Sequence, residues 1–351
     1  QITTRIHESI NSIVCRAIRN RDREPVILKI LRKDYPSPGE LARWQQEFEF
    51  LHNLNITGVV SAHSLEKDQN TLIIVTEDFG GNSLNHLITV PFEAGGLKGI
   101  SARAFLPLGI EIAHSLGQIH AANIIHKDIN PSNIVWNPAT NQLRIIDLGI
   151  ATHLPRETPA LRNPEELEGT LAYLSPEQTG RINRAVDYRT DLYSLGVSFY
   201  EILTGHLPFT AADAMELVHC HIAGTPVPLC ERSPDIPGIV SDIVMKLMAK
   251  NAEDRYQSAF GLKADLEKCL EAENLAALTF ELAQNDFSGR FQIPQKLYGR
   301  EAEVSTLLRA FERVSQGDAE MMLIAGYSGV GKTALVHEVH KPMTEKRGYF
   351  T

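Results

Sequence analysis

The sequence predicts an α+β fold in which a small β-rich unit with one helix precedes a larger, mainly helical unit and then the start of an α/β domain. Three observations support this prediction. Strand-like runs dominate about the first 75 residues, helical periodicity dominates from Asn82 to about Leu270, and a glycine-rich motif follows a strand candidate near the C-terminus. A length of 351 residues is compatible with about two domains.

The composition is that of an ordinary folded protein, with 43% apolar and 22% charged residues. The 34 basic and 43 acidic residues give a net charge of −9, which argues against a nucleic-acid-binding surface. The sequence has neither an apolar run long enough to span a bilayer nor the apolar core of a signal peptide. Four cysteines do not form a disulfide scaffold. We therefore expect a cytoplasmic protein that has no nucleic-acid partner and no membrane span in this sequence.

The first unit, predicted over residues 1–78, combines strands with a single helix. Apolar residues recur at spacings of three and four within Gly39–Leu54, so this segment predicts a helix with one face against a sheet. The strand candidates are the β-branched runs Ile10–Ala17, Pro25–Leu31 and Thr71–Thr76.

The second unit, predicted over residues 79–270, is mainly helical. Two short strand-like pieces, Ile134–Trp136 and Leu143–Ile146, are joined by a turn-prone stretch that predicts a hairpin. A helix at Glu271–Leu282 and a linker are predicted within residues 271–296. The helix candidates of the second unit are Ala102–His120, Asp191–Leu203, Ala211–Ala223, Ile236–Met248 and Ser258–Leu270.

The strongest chemical signal is the stretch His126–Asn133 (HKDINPSN), followed by Asp147–Gly149 (DLG). It contains a carboxylate at Asp128, an amide at Asn133, and a second carboxylate, Asp147, directly after an apolar strand candidate. Oxygen ligands of this kind suit Mg²⁺, and a carboxylate can also orient or deprotonate a hydroxyl group. The sequence therefore predicts a site for a divalent ion and a hydroxyl nucleophile.

This stretch and the motifs around it, in the same order, resemble the protein kinase catalytic domain over roughly Ile2–Leu270. The resemblance implies a bilobal protein kinase fold, ATP and Mg²⁺ as cofactors, and the Ser/Thr branch. Asp128, Lys29 in the sequence VILK and its helix partner Glu47 would be the catalytic residues. The implied Mg²⁺ ligands are Asn133 and Asp147.

The resemblance also implies further binding and supporting residues. The implied nucleotide contacts, including a gatekeeper at Thr76 and hinge groups at Glu77 and Phe79, are Ile6, Val14, Ile27, Lys29, Thr76, Glu77, Phe79 and Val135. Structural support would come from His126, which holds the catalytic loop, from Asp191, which braces it, and from a pair formed by Glu177 and Arg255.

The sequence departs from the kinase pattern at the phosphate lid and in the catalytic loop. His7, Ser9 and Ser12 occupy the glycine positions of the lid, so a stiffer or more distant lid is expected. Asn130 replaces a lysine that touches the γ-phosphate, and the loss of that charge-assisted bond predicts a roughly ten- to hundredfold slower reaction. These departures keep open an alternative, a pseudokinase that regulates its neighbours by contact.

More narrowly, the sequence resembles the kinase domain of large bacterial, notably cyanobacterial, signalling proteins, in which AAA-like ATPase, GAF and histidine kinase modules follow. From Leu297 a strand candidate, Met321–Ala325, leads into a GxxxxGKT motif, which predicts an α/β P-loop NTPase domain begun in residues 297–351. Because the chain begins with Gln1 and ends soon after this motif, we expect it to be part of a longer protein. The predicted phosphate-binding residues are Gly326, Gly329, Gly331, Lys332 and Thr333.

The sequence thus supports a protein Ser/Thr kinase that forms the input module of a multidomain signalling protein and phosphorylates Ser or Thr of a protein substrate. The pseudokinase is the second hypothesis. A third makes the P-loop domain an ATP-driven switch with the kinase as its sensor.

Overall fold

A computed structural model describes residues 1–9, 11–33, 35–68, 71–86, 99–153, 169–181, 184–289, 299–317, 319–327 and 330–338. Its strands are β1 (Ile2–Glu8), β2 (Ser12–Ile18), β3 (Pro25–Leu31), β4 (Ala62–Asp68), β5 (Thr71–Glu77), β6 (Asn82–Ser83), β7 (Ile124–Ile125), β8 (Ile134–Asn137), β9 (Gln142–Ile145) and β10 (Thr152–His153). Its helices are α1 (Pro38–Asn53), α2 (Ala102–Ala121), α3 (Arg189–Thr204), α4 (Ala214–Ala223), α5 (Leu229–Arg232), α6 (Gly238–Leu247), α7 (Ala259–Glu271), α8 (Glu301–Ser315) and α9 (Lys332–His337).

The first unit is a β-sheet with one helix, as predicted, and the sheet has five antiparallel strands. The strand order is β1-β2-β3-β5-β4, and α1 packs against β4 and β5. Ser37 caps α1 in a reciprocal capping box with Glu40, and Pro38 occupies the first turn, where its missing N–H costs nothing. The helix buries Trp44, Glu47 and two apolar neighbours, so a carboxylate enters the interior together with the apolar face.

The second unit is mainly helical and is organised around α3. Every residue of α3 except Glu201 is buried, which makes this helix the centre of the larger lobe. The predicted hairpin is present, with β8 paired to β9 and β6 added beside β8. This small sheet lies between the lobes, because Val59 of the first unit pairs with Ile145 at the end of β9.

The helix predicted at Glu271–Leu282 is wrong. After α7 ends, the chain runs without regular structure except for one short 3₁₀ turn at Leu275–Ala277. The guanidinium of Arg103 donates hydrogen bonds to the carbonyls of Leu270 and Ala272, and Leu275 is buried in the core. Tertiary contacts thus replace the helical hydrogen bonds that the local pattern predicts.

Asp286, which follows this segment, accepts hydrogen bonds at the start of α7. One carboxylate oxygen bonds the Ser258 hydroxyl at 2.7 Å and the other bonds the N–H of Gln257. We expect Asp286→Ala to lower the free energy of unfolding by about 1–3 kcal/mol, because two hydrogen bonds to the residues that begin α7 are lost. Urea unfolding of this variant beside Asp242→Ala, an exposed aspartate on α6, measures the change, and equal midpoints for the two variants would contradict this role of the carboxylate.

The strand predicted at Met321–Ala325 is also not formed. This segment has no strand assignment in the structure, and Met321 and Leu323 are exposed. A buried parallel strand needs a neighbouring strand to satisfy its backbone, and the described residues offer none. The helix predicted to follow does begin, at Lys332. None of the helices in the described ranges combines the length and apolar character needed to span a bilayer.

Candidate active site

Lys29 joins the two lobes in the cleft between them. Its ammonium nitrogen lies 2.7 Å from Glu47 Oε1 on α1 and 2.9 Å from Asp147 Oδ1, which follows β9. Glu47 is 3% exposed. The structure therefore brings together three site residues that are distant in the sequence, and the buried helix carboxylate is held by a cation.

Lys29 and Asp147 each favour the charged form of the other, whereas burial and the Asp147 carboxylate raise the pKa of Glu47 to about 7, although Lys29 opposes this shift. Burial alone would lower the pKa of Lys29, but the carboxylates of Asp147 and Glu47 outweigh it and raise that pKa, so the ammonium stays charged. Burial alone would raise the pKa of Asp147, but the Lys29 ammonium holds it below its usual range. Asp147 is thus ionised, as a metal ligand must be.

Asp128 is held by donors from two sides. Its Oδ1 accepts from the N–H and the hydroxyl of Thr170, both at 2.9 Å, and its Oδ2 accepts from Asn133 Nδ2 at 2.9 Å. Burial raises the pKa of Asp128 above its usual value, although the nearby His126 ring and the hydrogen bonds from Thr170 oppose the shift. The carboxylate is therefore fixed in orientation and more basic than an exposed aspartate.

Two non-glycine residues of this region have a left-handed backbone conformation. Lys127 and Asp147 adopt positive φ values of 67° and 63°, which few residues other than glycine populate. Gly169 has a φ of 98°, and a Cβ there would lie 3.2 Å from the carbonyl oxygen of Lys127. Glycine is needed at this position because the chain must pass close to the residue before Asp128.

Asn130 has a structural role that the sequence did not reveal. Its side-chain oxygen accepts from the N–H of Ser132 at 2.9 Å and caps the 3₁₀ turn Pro131–Asn133. Its Nδ2 donates to the carbonyl of Asp128 at 3.1 Å. The amide thus braces the catalytic loop from within.

The catalytic loop is also held in place by Asp191 of α3. The carboxylate of Asp191, fully buried, accepts from the N–H groups of His126 and Lys127 at 2.9 and 2.7 Å. His120 Nε2 contacts the same carboxylate at 2.9 Å, and His126 Nε2 contacts the carbonyl of Ile146 at 3.0 Å. The backbone before Asp128 is therefore tied to α3, and the His126 ring is tied to the residue between β9 and Asp147.

Glu177 and Arg255 form a buried, two-pronged ion pair. Arg255 Nη1 and Nη2 lie 2.6 and 2.8 Å from the two carboxylate oxygens of Glu177. The guanidinium also donates to the backbone carbonyls of Arg189 and Ala249. Burial alone would raise the pKa of Glu177, but Arg255 outweighs it and lowers that pKa. The pair anchors the chain that follows Thr170.

The residues predicted to contact adenine lie around the cleft. Val14 pairs with Lys29, and Ile27 pairs with the buried Thr76, across adjacent strands of the sheet. Val135 lies on β8, and a Cβ on Gly81 would be only 2.7 Å from its Cγ1. Ile6, another of the predicted nucleotide contacts, lies on β1 and its side chain is about half exposed.

The hinge, which we define as residues Glu77–Gly81, is engaged by the larger lobe. Asn137 Nδ2 donates to the carbonyl of Phe79 at 2.5 Å, so that carbonyl has a protein partner. Glu77 accepts from the N–H of Ser61 through its side chain at 3.1 Å. The predicted hinge contacts through Glu77 and Phe79 therefore stay predictions.

The lid turn between β1 and β2 is held by serine hydrogen bonds. Ser9 Oγ accepts from the N–H of Ser12 at 3.0 Å, and the Ser9 N–H donates to the carbonyl of Ser12 at 2.9 Å. This is a narrow, internally bonded turn, in keeping with a lid stiffer than a glycine-rich one.

The predicted P-loop residues lie after α8. Lys332 starts α9, and its ammonium donates to the carbonyls of Gly326 and Tyr327, both at 2.8 Å. Gly331 caps this helix with a φ of 87°. Gly329 and the side chain of Thr333 lie outside what the structure describes. The phosphate-binding role of these residues remains a prediction.

Sequence reasoning missed the contact of Thr170 and the loop-bracing contact of Asn130. In the sequence, the only feature that marks Thr170 is its position directly after Gly169, which lies seven residues before Pro176. The contact between its hydroxyl and Asp128 is formed only in the folded chain.

Two lobes, a lysine bridge between them and a braced aspartate beside a second carboxylate define a phosphotransferase domain. Residues 8–266 match the protein kinase domain, and the chain belongs to this family. Residues 296–351 match the AAA ATPase domain.

The chain is also similar in sequence to three known kinases. The chain is 39% identical over 199 residues to hybrid signal transduction histidine kinase G of Dictyostelium discoideum, covering 50% of this chain. It is 29% identical to serine/threonine-protein kinase PrkC of Bacillus subtilis and 30% identical to serine/threonine-protein kinase PknB of Mycobacterium tuberculosis, covering 76% and 71% of this chain. The chain spans only 6% of the first relative and 39% of each of the other two.

Proposed function

We propose that this chain transfers the γ-phosphate of ATP to Ser or Thr hydroxyls of a protein substrate. The proposal rests on one observation. The ammonium group of Lys29 lies within 3 Å of carboxylate oxygens of both Glu47 and Asp147, and the carboxylate of Asp128 is held in a fixed orientation. In a phosphotransferase of this kind, positioning and charge stabilisation supply most of the catalysis.

Each residue has a distinct role in this proposal. Asp128 orients the substrate hydroxyl and accepts its proton, and its raised pKa makes it a better proton acceptor than an exposed aspartate. Lys29, fixed by Glu47, aligns the phosphates. Thr170 and Asn133 keep the Asp128 carboxylate in one orientation.

The proposed metal ligands are Asn133 and Asp147. Within the described ranges, no cluster of three or more His, Cys, Asp or Glu side chains could hold a metal ion by itself. Mg²⁺ does not require such a cluster, because one or two carboxylates are enough when substrate phosphates supply the other ligands. The amide and carboxylate oxygens of this pair fit that chemistry. When bound, Mg²⁺ neutralises charge on the phosphates.

We further propose that the domain is the input module of a cytoplasmic signalling protein with ATPase, GAF and histidine kinase modules. The AAA ATPase match after the kinase domain and the hybrid histidine kinase relative support this arrangement.

The test is incubation of the purified chain with labelled MgATP and a generic protein substrate, followed by phosphoamino-acid analysis. We expect phosphoserine or phosphothreonine, and no labelling when EDTA removes Mg²⁺. A folded chain that binds MgATP in a thermal-shift assay without transferring phosphate would instead establish the pseudokinase, which the serine-bonded lid and Asn130 favour.

Asn130→Lys is expected to speed the reaction. A lysine would add a charge-assisted bond to the γ-phosphate, worth about 1.5–3 kcal/mol, and would remove a turn cap worth about 1 kcal/mol. The bond to the phosphate corresponds to a roughly ten- to hundredfold higher kcat, whereas the lost cap lowers the stability of the folded loop. Asn130→Leu, which loses the cap and adds no charge, should be slower than the wild type. A lysine variant no faster than the leucine variant would contradict the argument.

A further inference from the structure

Arg16 lies on the face of the sheet that covers the cleft. It pairs with Ile27, which pairs with Thr76 on the next strand. Residues directly opposite one another in an antiparallel sheet share a face, and so do residues two apart on one strand. Arg16 therefore shares a face with Lys29, whose side chain enters the cleft.

From this position the guanidinium of Arg16 reaches the hinge. Its Nη2 donates to the carbonyl of Gly81 at 2.7 Å, and its Nε lies 3.0 Å from Asp78 Oδ2. The Asp78 side chain is 9% exposed, and its other oxygen accepts from the N–H of Gly80 at 2.9 Å. Arg16 thus joins β2 to the hinge through a charge-assisted, partly buried contact between residues that are 65 positions apart in the sequence.

The opposite side of the hinge is already fixed to the larger lobe. Besides the bond from Asn137 to Phe79, the guanidinium of Arg144 lies 5.5 Å from the Phe79 ring centroid. Arg144 Nε also lies 3.6 Å from Glu77 Oε1. Because the hinge is held to the larger lobe, a bond from β2 to the hinge restrains the roof of the cleft itself.

The lid next to this roof lacks the glycines that allow close backbone contact with phosphates. A nucleotide under such a lid gains less from the lid backbone. Its retention then depends more on how firmly the rest of the roof is closed over it.

We propose that Arg16, Asp78 and the Gly81 carbonyl form a hinge bridge that slows the release of a purine nucleoside triphosphate from the cleft. Arg16 is then a positioning residue, because it acts through the roof and touches no reacting phosphate. The inference rests on the nucleotide binding of the proposed function. Raising the roof to release the nucleotide requires these bonds to break, so their loss changes residence time and not the chemical step.

Stopped-flow release of a fluorescent ATP analogue, with Mg²⁺ present, tests the hinge bridge in the full chain. Arg16→Met and Asp78→Asn should each raise the dissociation rate and the KM for ATP about three- to tenfold and leave kcat undiminished. The double variant should match the stronger single variant, because both changes break the same contact. Arg16→Lys, which keeps the charge, should recover part of the effect.

Arg19→Met is the matched control, because Arg19 follows on the same hairpin and pairs with the exposed Asp22. It should release the analogue at the wild-type rate. Unchanged rates in the Arg16 variants, additive effects in the double variant, or a lower kcat at constant KM would each overturn the hinge bridge. A wild type that binds nucleotide without transferring phosphate refutes the kinase activity alone, whereas a wild type that binds no nucleotide refutes both proposals.

Discussion

Asp128→Asn is expected to lower kcat by about 10²- to 10⁴-fold, the usual contribution of a positioned general base. An amide cannot accept the proton of the substrate hydroxyl. It would also place an NH₂ group either against Asn133 Nδ2 or against the donors of Thr170, because the carboxylate now accepts from both sides. Steady-state phosphotransfer with MgATP measures the loss.

Because the ion pairs of Lys29, which aligns the phosphates, are with Glu47 and Asp147 and not with Asp128, the KM for ATP should change little in this variant. Asp242→Asn, an exposed aspartate on α6, should keep full activity. Labelling of substrate at the wild-type rate by a folded Asp128→Asn protein would remove Asp128 from the reaction.

Arg255→Met is expected to lower the free energy of unfolding by about 3–5 kcal/mol, because it leaves the Glu177 carboxylate buried without its counter-ion. Arg255 is 1% exposed, so water cannot replace the lost donors. Urea unfolding of the variant and the wild type gives the difference. Arg313→Met should cost less than about 1 kcal/mol, because its pair with Glu320 is largely exposed.

The pH dependence of this difference provides a second measurement. The folded-state pKa of Glu177 is lowered, so its contribution to stability is present above the unfolded-state pKa of about 4.3. It is lost as the pH falls through the folded-state value. The difference in the free energy of unfolding between the wild type and Arg255→Met should therefore become smaller below about pH 4. A gap that is constant down to pH 3 would show that packing, and not the ion pair, causes the loss.

The sequence predicted the two-lobed architecture well because each part has a local signature. Helical spacing at Gly39–Leu54 and the turn between β8 and β9 are short-range patterns, and both elements form. The residues that meet in the cleft, Lys29, Glu47 and Asp147, could be grouped only because their order along the chain resembles a known family. Local pattern alone would have left Lys29 as one lysine on a strand.

The parts that were not predicted depend on long-range contacts. The segment after Glu271 has helical composition, yet bonds from Arg103 and burial of Leu275 hold it in an irregular path. Arg16 reaches the hinge across 65 residues, a contact that no periodicity encodes. Asn130 was interpreted only as a missing charge, because its role as a turn cap depends on the backbone of the folded loop.

The bridge formed by Lys29 also couples the positions of the two lobes. One ammonium group holds a carboxylate from the smaller lobe and another from the larger lobe, so a displacement of α1 would leave the buried Glu47 carboxylate without its cation. An outside contact that shifts α1 would therefore act on the same lysine that aligns the phosphates in the proposed reaction.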